Sequence, residues 1–219
     1  MKKLIVTVFA ALAAVSSCFA TVELSADLNA VPFNLVDAEN VDNFYEVVPT
    51  GFQAAAVFYF DELKPFNVGL KLELSGEEFS DIRQNSSFTE IDGGFNGRFA
   101  IGPALRFSSL TGKHTFHLSP GIYFNAMGMG KERKAENDVY DVLITLEGGV
   151  HVDFCYNFWI VQKEAFCLGL NFGTDYGIGA GRSTQTVWRD GSDDFDDFYW
   201  SDLNLAQHLK IYTGVTFKL

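Results

Sequence analysis

Cations are scarce in this sequence. Sixteen Lys and Arg stand against 28 Asp and Glu, for a formal net charge of −12. The longest basic cluster is Lys131-Glu132-Arg133-Lys134, too little to neutralise a phosphate backbone, which argues against nucleic acid as a partner. Charged residues make up only 20% and apolar ones 47%, so the chain is neither disordered nor a long soluble helix. Five Pro against twenty Gly fit tight turns and close packing better than disorder. Beyond the start of the chain no apolar run approaches the roughly 18–20 residues of a membrane helix. That absence does not exclude membrane strands, whose signal is weak in each segment.

Residues 1–20 read as a secretory leader. Lys2 and Lys3 precede the apolar run 4–15, and Cys18-Phe19-Ala20 places small residues where cleavage is decided. Cleavage after Ala20 is expected, leaving 21–219 as one domain. Val15-Ser16-Ser17-Cys18 also fits a lipobox, which would make Cys18 a lipidated first residue. A strand pattern begins at Val22 and leaves no tether, which favours cleavage.

What is abundant is alternation of period two, which puts successive side chains on opposite faces of a strand. It recurs over residues 22–31, 52–60, 68–75, 95–107, 116–125, 142–154, 166–176 and 208–219. In the last of these, Leu209, Ile211, Thr213, Val215, Phe217 and Leu219 alternate with His208, Lys210, Tyr212, Gly214, Thr216 and Lys218. The connectors alternate too: 32–50, 76–94, 130–141 and 182–207 are long, whereas 61–67, 108–114 and 156–165 are short. All long connectors then fall at one end of a meander and both chain ends at the other.

One face is apolar in every strand. The other carries Glu23, Asp27, Lys71, Glu73, Arg98, Arg106, Glu147, Asp153, Asp175, Lys210 and Lys218. Either the charged face meets water and a second layer covers the apolar one, or the charged face lines a lumen and the apolar one meets lipid. Phe58, Phe60, Phe107, Phe116, Phe154, Tyr156, Phe166 and Phe217 near the short turns suit an interfacial aromatic girdle and favour lipid. In lipid every backbone group must be paired, so the sheet must close. The predicted fold is an all-β, eight-stranded antiparallel up-and-down transmembrane β-barrel. With this architecture and its amphipathic final strand, the chain resembles the small outer-membrane barrels of the OmpA-transmembrane and OmpX type. The resemblance implies a bacterial outer membrane, with membrane lipid, periplasmic chaperones and the barrel-insertion machinery as partners. Members of that family usually finish in Phe; here Leu219 is last and Phe217 lies two residues before it.

Several sites invite a chemical reading. Pairing Phe154 with Leu168 and Tyr156 with Phe166 would set Cys155 opposite Cys167, both inward, so a structural cross-strand disulfide is expected, with two free lumenal thiols as the alternative. Pairing Phe107 with Phe116 sets Pro103 opposite Pro120, where a bulge is expected. His117 and Ser119 could face Asp153 and His151, the side-chain types of nucleophilic catalysis, though a polar lumen network accounts for them as well. Trp188, Asp193, Asp194, Asp196, Asp197 and Trp200 fall in the fourth long connector, whose interleaved aromatics suit contact with an unknown extracellular partner. Its acidic residues lack the spacing of a calcium loop. No set is assigned to catalysis, to a cofactor or to a metal. The expected role is structural or surface-interacting. A small channel for water, ions or small solutes is the alternative, and a lipid-modifying enzyme the remoter one.

Overall fold

The computed structural model describes residues 21–36, 50–60, 66–84, 87–132, 139–163, 166–189, 199–200 and 203–219. The expected leader, residues 1–20, lies outside them. The strands are β1 (Thr21–Val36), β2 (Thr50–Tyr59), β3 (Phe66–Gln84), β4 (Ser87–Ser108), β5 (His114–Glu132), β6 (Val139–Gln162), β7 (Cys167–Arg189), the two-residue β8 (Tyr199–Trp200) and β9 (Asn204–Lys218). Strands β1 to β7 pair antiparallel in chain order, and β9 pairs with β7 on one side and β1 on the other. The result is a closed ring of eight strands, with β8 added on β7. Closure runs through Glu23 opposite Lys218 and Leu24 opposite Phe217. It is completed by mutual backbone bonds, Val22 N–H to Leu219 C=O at 3.2 Å and Leu219 N–H to Val22 C=O at 2.9 Å.

The burial pattern is inverted relative to a water-soluble domain. Phe52 is 71% exposed, Leu74 62% and Val150 61%, whereas Asp153 and Asp175 are fully buried and Lys210 is 1% exposed. Only Val57, Tyr59 and Ala104 form a buried apolar cluster among the described residues. An exposed apolar belt of this extent has no stable place in water and needs lipid or an equivalent cover. Phe60, Phe107, Phe116, Phe166 and Phe217 are exposed near the short turns, as the girdle requires, whereas Phe154 is exposed well before the end of β6 and Phe58 is only 6% exposed.

The strands outrun the predicted ones. The longest, β6, has 24 residues, whereas roughly 9–11 tilted residues cross a bilayer. Most of the surplus lies at the long-connector end, but β6 gains residues 155–162 at the short-turn end. The expected connector 76–94 is mostly a projecting hairpin, with Gln84 opposite Ser87. Much of 182–207 is likewise strand, with Trp188 in β7 and Trp200 in β8. Outside hydrocarbon both faces of a strand can be polar, so alternation fades before hydrogen bonding does.

Two register expectations resolve differently. Leu105 faces Leu118 and Ile101 faces Ile122, so the register that sets Pro103 against Pro120 holds on both sides. The ladder lapses between those pairs without a shift, so there is a gap and no bulge. Facing prolines confine both missing donors to one place. Bulges do occur elsewhere, between Ala30 and Phe33 on β1 and between Trp159 and Val161 on β6.

Candidate functional site

The lumen gathers most of the chain's buried polarity. Alternation turns Glu23, Asp27, Lys71, Glu73, Arg98, Arg106, Glu147, Asp153, Asp175 and Lys210 inward, each 6% exposed or less. Lys218 stands half-buried at the short-turn mouth, opposite Glu23 in the ladder.

Among the described residues, four ion pairs made by Lys or Arg cross the interior. Arg106 on β4 meets Glu23 on β1 at 2.6 Å. Lys71 on β3 meets Asp153 on β6 at 2.8 Å, and Arg98 on β4 meets Asp175 on β7 at 2.8 Å. Lys210 on β9 reaches Glu73 on β3, where Lys71 also lies at 3.0 Å. Each cross-lumen pair joins strands three steps apart in the ring of eight, so the pairs run close to diameters. Lys210 sits in register with Asp175 on β7, well up the barrel from Glu23.

Tyrosines and amides complete the network. The hydroxyl of Tyr212 donates to Asp153 at 2.7 Å, and that of Tyr123 donates to Glu147. Arg106 lies 4.3 Å over the Tyr59 ring and Arg98 4.7 Å over Tyr123, favourable placements for a guanidinium. His151 and His208 both contact Asp175.

Asp27, Glu77 and Glu147 are held by neutral donors and, for Glu147, by His208 at 3.7 Å. Asn171 donates to Asp27 at 2.6 Å, and Asn29 and Asn96 both donate to Glu77 at 2.7 Å. Glu77 escaped the sequence reading because the third strand was ended at Ser75. Carrying the alternation one step further through Glu77 would have found it. Toward the long-connector end the inward row turns to Met127, Met129 and Thr145, all buried.

No protein-family model and no curated protein matches the chain. Among solved structures, a major outer membrane protein from Thermus thermophilus aligns over 90% of this chain and 99% of its own, with a TM-score of 0.54 and 12% identity. The outer membrane protease OmpT from Escherichia coli aligns over 91% and 96%, with a TM-score of 0.48 and 7% identity. The fold is that of an outer-membrane β-barrel.

Within that barrel the cysteines do not meet. Cys155 faces Gly173 and Cys167 faces Gln162, and both thiols are free. Seven residues of β6 separate the two positions, roughly 23 Å at strand rise, far beyond the ~7 Å limit between bridged Cα atoms. The expected turn at 156–165 begins too early. Asn157 and Trp159 continue the inward row, Phe158 and Ile160 the outward one, and the chain reverses at Lys163, whose N–H bonds to Phe166 C=O at 2.9 Å.

The residues weighed for catalysis are dispersed among structural partners. Ser119 faces Asp153, and His117 faces Cys155, two positions from the register that would pair His117 with Asp153. His117 Nδ1 bonds to Tyr59 Oη at 2.6 Å and Nε2 to Asn157 at 3.0 Å. Ser119 Oγ has no hydrogen-bond partner among the described residues. It lines a cavity of about 30 Å³ with Lys71, Asp153 and Tyr212, room for about one water. Glu73, Asp153 and Asp175 converge within 4.8 Å, yet Lys210, Lys71 and Arg98 already neutralise them. Asp193, Asp194, Asp196 and Asp197 lie outside the described residues.

Proposed function

We propose that this protein is an integral component of a bacterial outer membrane whose barrel is a plugged scaffold, with a structural or surface-interacting role. The observation that carries the reading is the set of near-diametric ion pairs, Glu23–Arg106, Lys71–Asp153, Glu73–Lys210 and Arg98–Asp175. Long side chains meeting across the axis fill an eight-stranded lumen, which is just wide enough for them. In this reading residues 1–20 are removed on export, and chaperones and insertion machinery deliver the barrel to lipid. The long-connector end, with its acidic and aromatic residues, then faces outward to an unidentified partner. In this reading His117, bound to Tyr59 and Asn157, and Ser119, which faces Asp153 in the ladder, belong to the lumen lining and not to a catalytic pair.

A small channel is the second reading. It is favoured by the succession of two cavities, about 30 Å³ and 360 Å³, that share Glu23 in their lining. Planar-bilayer recording of the refolded protein, with folding verified by heat-modifiable gel migration, separates the two. A plugged scaffold gives no discrete openings. Reproducible unitary conductance from the folded band would overturn it in favour of the channel.

A further inference from the structure

The larger cavity opens at the short-turn mouth, beneath the ion-pair network. It measures about 360 Å³ and includes Arg106, Lys163 and Lys218, with Glu23 as its one carboxylate. A basic lining in a chain of formal charge −12 is a local reversal of sign. Glu23 offsets only one of these three cations, through Arg106 Nη1 at 2.6 Å, and is approached by His117 Nε2 at 3.3 Å, so the lining keeps a basic excess.

Two donors there lack an acceptor or have one to spare. Arg106 is 2% exposed, and its Nε has no hydrogen-bond partner among the described residues. A buried guanidinium N–H left so is costly and calls for an acceptor. Thr115 Oγ1 accepts from Trp159 Nε1 at 3.2 Å, which leaves its own hydroxyl proton to donate. Guanidinium, ammonium and hydroxyl donors around one space suit an anion with several oxygens.

We infer that this mouth binds a phosphate-type oxyanion, with Arg106 and Lys163 as its charged anchors. The phosphate could belong to a free solute or to a phospholipid headgroup, and the chemistry is the same.

Trp159 lines the cavity and reports on it. The sequence has three Trp, so W188F/W200F leaves Trp159 as the sole emitter. In phosphate-free detergent, inorganic phosphate titrated at ionic strength held constant with chloride should change Trp159 emission saturably. Lys163 is exposed at the rim, so K163Q leaves the barrel folded, as its heat-modifiable band will verify. It should weaken phosphate binding about fivefold, the effect of one unit charge near contact in water. Repeating the titration in phosphatidylcholine vesicles assigns the source. A persisting response indicates a free solute, and a response lost there but present in detergent indicates a headgroup already seated. The inference is overturned if detergent shows no saturable response, if chloride alone reproduces it, or if K163Q binds as tightly as the parent.

Discussion

Replacing Lys210 with methionine removes a buried ammonium and keeps most of its stem. Lys210 is 1% exposed and pairs with Glu73, itself 2% exposed. After the change, Glu73 has Lys71 at 3.0 Å, but Lys71 already serves Asp153 at 2.8 Å, so one cation is left for two carboxylates. Breaking a buried pair by removing one partner costs about 3–5 kcal/mol. The remaining Lys71 puts K210M at the lower end, about 3 kcal/mol. The double variant K210M/E73Q removes both charges and leaves Lys71 and Asp153 as a one-to-one pair, so it should fall within about 1 kcal/mol of the parent, because a neutral replacement of a buried pair is often tolerated. Reversible urea unfolding in phosphatidylcholine vesicles, followed by tryptophan emission and by the heat-modifiable band, measures both. The reasoning fails if the double variant is as unstable as K210M or more so. It fails equally if K210M alone is indistinguishable from the parent.

Three further outcomes follow from the geometry. A Cβ built on Gly173 would overlap the Tyr212 ring, whereas one on Gly128 meets nothing within 4 Å; G173A should therefore lose about 1–3 kcal/mol and G128A almost nothing in the same unfolding assay. A chain of residues 21–219, denatured without reductant, should take up two maleimide–polyethylene glycol tags, one each on Cys155 and Cys167, and unlabelled protein would reinstate a disulfide. Deleting the last three residues removes the Val22–Leu219 bonds and the Phe217 and Lys218 rungs, so the truncated chain should show little heat-modifiable folded band, and unimpaired assembly would refute closure through this strand.

The sequence was legible where hydrocarbon enforces two unlike faces. Glu23, Asp153 and Lys210 could be placed inward and Phe52, Leu74 and Val150 outward from parity alone, because a one-residue slip would reverse every side chain. Register across a hairpin was legible only where the turn is marked. Gly112 adopts φ 69°, a left-handed conformation natural to glycine. That turn fixed Phe107 against Phe116 as expected. No Gly or Pro marks the turn after β6, so its position was free to be misread, and the Cys155–Cys167 pairing went with it. Contacts across the lumen were beyond parity altogether. That Lys210 selects Glu73 depends on ring size and strand stagger, which no local pattern encodes.

The near-diametric ion pairs bear on how the barrel assembles. Hairpin ladders can zip one rung at a time between neighbours, but Glu23 and Arg106, or Glu73 and Lys210, stand three strands apart and meet only once the sheet has curled. Until then the partially wound sheet carries unmatched charges that hydrocarbon rejects. Ring closure and charge neutralisation are thereby one cooperative event. An incomplete sheet cannot come to rest in the bilayer, and the interior works as a checkpoint that admits only the finished ring.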